Sequence, residues 1–379
     1  MARPFDLPDL PNLPAGAAPA LPPVHGGPDA RGVPAHDFST NANACGPCPE
    51  ALAAVQRADA ARYPDPAYTV LREALAAWHG VAPERIVPAA SASEFIHRAT
   101  AWAARRGAAG VVVPAHGYGD YARAAAAWGL PVARGDGTPP PGAMPLLHWA
   151  CEPSSPLGTA DAAVAAWREE GEGEGGAAGP AHGPRIIDCA YAPLRLEPAA
   201  GPGAALPASA WQLWSPNKAL GLTGVRAAYA IAPAHVPQGD LAALQALAPS
   251  WPIGAHGVAM LAAWVEPATQ RWLAATLPTL RAWKAAQQAL CADMGWAVRP
   301  GSAANYFVAR PPVADLPLLL AALREEGVKL RDCASFGLPG WVRLGVLGPQ
   351  GRAALAQAWA RRGPGAAQFR TPPSRSPAG

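Results

Sequence analysis

Between residues 86 and 232 the chain alternates short apolar runs with longer amphipathic stretches. The strand-like runs are Ile86–Val87, Gly110–Pro114, Pro131–Ala133, Pro145–Ala150, Arg185–Asp188, Trp211–Trp214 and Arg226–Ala232. Helical patterns over Ser93–Arg106, Gly119–Trp128 and Ala160–Glu170 lie between several of them. Such alternation predicts an α/β domain whose mainly parallel sheet is covered by helices, because a parallel neighbour requires a crossover connection. Upstream, helices are expected over Glu50–Ala60 and Tyr68–His79, the latter with Leu71, Leu75, Ala76 and Trp78 on its apolar side.

Pro249–Pro252 reads as a boundary, since two prolines this close end regular structure. A long helical region from Gly257 to Met294 follows, with breaks expected at Pro267 and Pro278. Strand-like Ala297–Arg299, Tyr306–Arg310, Lys329–Cys333 and Trp341–Val346 come next, interleaved with helices over Leu316–Glu326 and Gln350–Arg362. The expected organisation is an N-terminal arm (1–45), a large domain (46–248), a smaller α+β domain (249–362) and a disordered tail (363–379). At 379 residues the chain has room for two cores. Gly171–Pro180 reads as a low-complexity surface loop, too acidic to cradle a phosphate.

A formal net charge of +3, with no basic cluster interleaved with aromatics, gives no footprint for nucleic acid. No apolar stretch is long enough to span a bilayer, and residues 1–11 lack the charged-then-apolar pattern of a secretion signal. A cytoplasmic location is the expectation. Five of the six cysteines sit in apolar or turn contexts without metal-ligand spacing, and no metal is expected. Cys45-Gly-Pro-Cys48 spells a redox motif, but polar Asn41–Ala44 precedes it where a hydrophobic strand belongs.

The chemistry gathers at Ser215–Arg226. Lys218 sits among small and apolar residues between two strand-like runs, with no carboxylate close in sequence. Desolvation there favours the neutral amine, the form that bonds a carbonyl. Ser215 and Arg226 flank it with the hydroxyl and guanidinium suited to a phosphate. An amine for an aldehyde beside a phosphate site is what pyridoxal 5'-phosphate needs. Three further segments fall at strand ends, where ligands sit in open parallel sheets. They are Asp188, ending Arg185–Asp188; the turn Cys151–Gly158; and Ala90–Ile96, whose free N–H groups at a helix start suit an anion.

In order and spacing these pieces resemble the fold-type I pyridoxal-phosphate enzymes, aminotransferase class I/II. The nearest branches are histidinol-phosphate aminotransferase and threonine-phosphate decarboxylase, and the resemblance runs from about His25 to Arg362. It implies that Lys218 bonds the cofactor and shuttles the α-proton. Asp188 would pair with the pyridine nitrogen, and Tyr191 would hydrogen-bond the ring oxygen. Ser215, Arg226 and the backbone of Ala92 and Ser93 would hold the phosphate, with Tyr118 stacked on the ring. Tyr63 would reach the phosphate of a neighbouring subunit, implying a homodimer with shared sites. Arg343 would clamp the substrate carboxylate, and Arg331 would add a second anion contact.

Four positions differ from the pattern of that family. Ser155 stands where asparagine is usual beside the ring oxygen, Cys189 replaces an acidic residue, Asn217 precedes the lysine in place of serine, and Ser91 replaces a glycine. The first expectation is an aminotransferase acting on an amino acid or amino phosphate. The second is a threonine-phosphate decarboxylase-like enzyme, which His25–Gly27, Asp37–Asn43 and Arg331–Phe336 also resemble. A cofactor-binding protein without turnover is the third.

Overall fold

The computed structural model describes residues 25–135, 145–171, 183–197 and 206–363. The residues expected as most of the Gly171–Pro180 loop, the first part of the arm and nearly all of the tail lie outside the described residues. Seven strands form one sheet in the order Ile86–Ala89, Ala228–Ile231, Trp211–Trp214, Arg185–Asp188, Leu146–Cys151, Gly110–Val113 and Val132–Arg134. Ala228–Ile231 runs antiparallel to both of its neighbours, and every other pairing is parallel. The four central strands are nearly all buried, as a sheet covered on both faces requires.

Alternation along each strand sorts its side chains between two cores. Trp149, Ile186, Trp211 and Leu213 meet the helices Ala92–Arg105 and Gly119–Ala127. On the other face Ala150, Ile187 and Cys189 pack with Trp167 of the helix Ala162–Gly171. A third core gathers the helices Pro49–Gln56, Thr69–His79 and Ala255–Trp264 over Ile86, Tyr229 and Ile231. Asp188 and Ser215 continue the two-residue period of Ile186 and of Trp211–Leu213. Both therefore project on the face of the helix Gly119–Ala127, at the ends of their strands.

The smaller unit holds a four-stranded antiparallel sheet in the order Arg331–Asp332, Val342–Gly345, Tyr306–Arg310, Ala297–Val298. Helices Leu316–Glu325 and Pro349–Arg362 cover it through Leu319, Leu323, Leu355 and Ala358. The arm is built into this unit. His36–Asp37 pairs in parallel with Val328–Lys329, and Phe38 is fully buried in its core. Beyond the expected boundary, Ala255–Trp264 still packs within the core of the large sheet.

Several details differ from the sequence expectations. Pro278 lies inside one continuous helix, Pro267–Asp293, rather than breaking it. Packing of Leu273, Thr276 and Leu280 on the core holds the helix across it, against a local cost of about 3 kcal/mol. Trp78 is exposed, and Leu71, Leu75 and Ala76 alone form the buried stripe of Thr69–His79. The first helix ends at Gln56, and Gln238–Gln245 is a helix that the sequence reading left without structure.

His79 at the end of its helix is mostly buried, with Nε2 2.8 Å from the Tyr229 hydroxyl, which also accepts a hydrogen bond from Trp264 Nε1 at 3.2 Å. Burial lowers its pKa from 6.5 to about 4. The fold therefore holds a neutral imidazole that the unfolded chain protonates more readily, so its stabilisation is complete above the unfolded pKa and is lost as pH falls toward the folded one. Urea unfolding at about pH 5 should lose roughly 2 kcal/mol against about pH 8, and His79→Gln should remove that part of the pH dependence. An identical pH dependence in the variant would show that the imidazole is not the source.

Candidate active site

A cavity of about 700 Å³ opens at the ends of the central strands, between the large sheet, the smaller unit and the first described residues of the arm. Its walls include Ser93, Tyr118, Asp188, Tyr191, Ser215, Lys218, Arg226, Arg331 and Arg343. Of the residues expected at the site, Tyr63 stands apart. It is exposed and stacked on Trp251 with ring centroids 4.6 Å apart.

The lysine loop is pinned from behind. The Lys218 carbonyl accepts from Asn43 N–H at 2.9 Å and from Gly221 N–H at 3.2 Å. Asn43 Nδ2 donates to the Ala219 carbonyl at 3.2 Å and to Thr276 Oγ1 at 2.9 Å, and Cys48 N–H donates to Leu220 at 2.8 Å. Gly46 lies so close to this loop that a Cβ there would meet Gly221 Cα at 3.1 Å and the Leu220 carbonyl at 3.2 Å. The redox-like spelling Cys45–Cys48 thus serves close backbone contact. Both cysteines are free thiols, raised above their ordinary pKa by burial. With its backbone fixed, Lys218 projects its Nζ over the Tyr191 ring, 5.4 Å from the centroid.

At the start of Ala92–Arg105, Ser91 and Glu94 form a reciprocal cap. Ser91 Oγ accepts from Glu94 N–H at 3.1 Å, and Glu94 Oε2 accepts from Ala90 N–H at 3.1 Å. The Ala92 and Ser93 N–H groups have no acceptor within the helix and face the cavity end of the helix dipole. Ser215 is buried, and its hydroxyl has no hydrogen-bond partner among the described residues. A buried orphan hydroxyl, two helix-start N–H groups and the Arg226 guanidinium along one cavity make a set that fits a phosphate.

Asp188 carries the opposite charge. One carboxylate oxygen accepts from the Tyr121 hydroxyl at 2.8 Å and the other from Ala190 N–H at 2.9 Å. Burial raises its pKa, opposed by the charge of Lys218 and by these two hydrogen bonds. Tyr118, one helical turn from Tyr121, places its hydroxyl 3.1 Å from Ser93 Oγ. Tyr191 sits edge-on to Tyr306 at 4.8 Å.

The opposite wall comes from the smaller unit. Arg343 is buried, donating to Ser155 Oγ and to the Ser39 carbonyl, both at 3.0 Å, while its Nε lacks a partner. The Ser155 hydroxyl is thereby turned to this arginine. Arg331 is paired in register with Arg343 on the adjacent strand and donates to Ser335 Oγ at 2.8 Å and the Asp332 carbonyl at 3.0 Å. Its pKa is lowered by burial first and by Arg343 second.

The sequence reading missed Tyr121, Asn43 and the pocket position of His25–Gly27. Tyr121 could have been found from its three-residue spacing to Tyr118 on a helix, which puts both rings on one face. Locally Asn43 reads as a turn residue, its Oδ1 accepting from Cys45 N–H, while the partners of its Nδ2 are more than 170 residues away.

The family model for aminotransferase class I and II matches residues 34–142 and 213–358, more than half of the chain. Against curated proteins the chain finds no sequence match. Among solved structures it resembles the histidinol-phosphate aminotransferase of Clostridium acetobutylicum, at 17% identity and TM-score 0.68 over 85% of this chain and 97% of that one. The histidinol-phosphate aminotransferase of Sinorhizobium meliloti in complex with pyridoxal-5'-phosphate is similar at 21% identity and TM-score 0.66, over 84% and 88%. The L-threonine-O-3-phosphate decarboxylase of Porphyromonas gingivalis is similar at 19% identity and TM-score 0.63, over 81% and 90%.

Lys218→Ala should bind pyridoxal phosphate without the absorbance of a lysine adduct, and borohydride should then leave no label on the loop peptide. An unchanged spectrum in that variant would remove Lys218 from the chemistry. Both the matched family and the cavity's charges lead to one assignment: the chain belongs to the aminotransferase class I and II family and is a pyridoxal-phosphate-dependent enzyme.

Proposed function

We propose that this enzyme transfers the amino group of an amino acid or amino phosphate, in the manner of a histidinol-phosphate aminotransferase. The observation that carries the substrate side is Arg343. A buried guanidinium whose Nε has no partner among the described residues, hydrogen-bonded to the neutral Ser155 hydroxyl and Ser39 carbonyl and lying over the Tyr306 and Phe336 rings, is poised for an anion. Arg331, in register beside it, adds a second positive charge, so the pair suits a substrate with two anionic groups.

Bound pyridoxal phosphate supplies an aldehyde for the substrate nitrogen and a ring that takes up the electron pair released at Cα. The chain's own groups do the rest. Ser215, Arg226 and the N–H groups of Ala92 and Ser93 would hold the phosphate. Tyr118 would flank the ring, Asp188 would keep its nitrogen protonated, and Tyr191 would donate to the ring oxygen. Lys218 is the amine that would bond the cofactor and, when free, would serve as the base that holds and returns the Cα proton. Arg343 would fix the substrate carboxylate and so orient its Cα for reaction. Tyr63, exposed and stacked on Trp251, supports a homodimer in which it reaches the neighbouring phosphate site. No helix among the described residues is long and apolar enough to cross a membrane, and a cytoplasmic location is part of the proposal.

One observation favours a second reading, a threonine-phosphate decarboxylase-like reaction. His25–Gly27 lines the cavity close enough for His25 to feel the charges of Asp120, Arg123, Arg331 and Arg226. A panel of amino acids and amino phosphates separates the readings. A keto product with the amine form of the cofactor supports transamination; carbon dioxide without a ketone supports decarboxylation. Cofactor bound with no turnover of any member would support a binding protein instead. Arg343→Gln should keep the lysine adduct and lower kcat/KM by about a hundredfold or more, the scale of removing one partner of a buried charge pair. Unchanged kcat/KM would place the substrate anion elsewhere.

A further inference from the structure

Asp188 is the one carboxylate assigned above to the cofactor, and it accepts from the hydroxyl of a residue to which the resemblance gave no role. Tyr121 stands on the helix Gly119–Ala127, fully buried, and donates to Asp188 Oδ2 at 2.8 Å. Its ring lies flat on Trp149, with centroids 4.9 Å apart and planes 12° from parallel. Trp149 is itself buried on the strand next to that of Asp188, where Cys151 and Asp188 are register partners. The phenol is thus held between a fixed indole and a fixed carboxylate, which removes its freedom to donate elsewhere.

We propose that Tyr121 is a positioning residue that sets where the proton between Asp188 and the cofactor's ring nitrogen resides. The inference rests on the assignment of Asp188 to that nitrogen. A hydroxyl donating to a carboxylate stabilises its ionised form, so the proton stays on the nitrogen rather than moving to Asp188. Without this donor, a carboxylate buried this deeply would be more basic and would take the proton. A nitrogen without its proton is a weaker electron sink.

The surroundings leave this donor with a distinct share of the work. Around Asp188 the groups able to titrate are Lys218, Tyr118, Tyr121, Tyr306, Cys151 and Cys189. Burial holds the phenols of Tyr118, Tyr121 and Tyr306 and the two thiols far toward their protonated forms. The charge of Lys218 opposes neutralisation of Asp188, but that amine is also the group assigned to bond the cofactor. Tyr121 and the Ala190 N–H donate directly to the carboxylate and have no such second role.

The test compares the wild-type holoenzyme with Tyr121→Phe, reconstituted with pyridoxal phosphate isotopically labelled at the ring nitrogen. Magnetic resonance then reads the protonation of that nitrogen against pH. The phenylalanine ring preserves the stack on Trp149. Removing one charge-assisted hydrogen bond should lower the nitrogen's titration midpoint by about one to two pH units. A second variant carries difluorotyrosine at position 121, an isosteric and more acidic donor, and should hold the nitrogen protonated to a pH at least as high as the wild type. Midpoints unchanged in both variants would overturn the role of Tyr121. Borohydride trapping on Lys218 is read in the same samples. No trapped adduct in the wild type would overturn the cofactor reading itself, independently of Tyr121.

Discussion

The site depends on one costly arrangement, a carboxylate placed in the interior of the protein at the end of a central strand. Burial pushes the pKa of Asp188 up, and the structure counters it with the charge of Lys218, a backbone N–H and a phenol. Each of those partners is itself held by something larger. Tyr121 is set by its helix and by Trp149. Ala190 is fixed by the turn that follows the strand, and Lys218 by the loop clasped behind it. The sheet therefore acts as the common frame for these groups of opposite charge.

The arm and the smaller unit complete that frame from the other side. His36–Asp37 pairs with Val328–Lys329, and Phe38 is buried among the hydrophobic residues of the smaller unit. The same segment supplies Asn43 to the lysine loop and the Ser39 carbonyl to Arg343. One stretch of chain thus ties the Lys218 loop to the Arg343 guanidinium. Ser155 has a related part: its hydroxyl, on the turn after the strand Leu146–Cys151, orients Arg343. At this position, where the resemblance leads one to expect asparagine, the shorter serine hydroxyl meets Arg343 instead.

Much of the fold was legible because its signals are local. The strand Arg185–Asp188 and the strand Trp211–Trp214 appear where the apolar runs placed them, and the helix over 92–105 begins at a cap that the sequence spells as Ser91 followed by Glu94. The expectation of a break at Pro278 failed because burial of one helix face outweighed a local rule. Trp78 failed in the opposite sense: a periodic pattern shows which face is apolar but not how far the neighbouring element extends over it. Lys218, Asp188, Ser215, Arg226, Arg331 and Arg343 were each readable as reactive or charged groups at strand ends, and they line one cavity.

By itself, then, the sequence determined the alternation that makes a parallel sheet, the residues at the strand ends and their family. These follow from periodicity and from motifs read within a dozen residues. Only the tertiary structure decided that Tyr121 donates to Asp188, that Asn43 holds the carbonyl of Lys218, and that Arg331 stands in register with Arg343. Those contacts join elements far apart in the chain, and their hydrogen-bond geometry is fixed by packing around the cavity rather than by any neighbour in sequence.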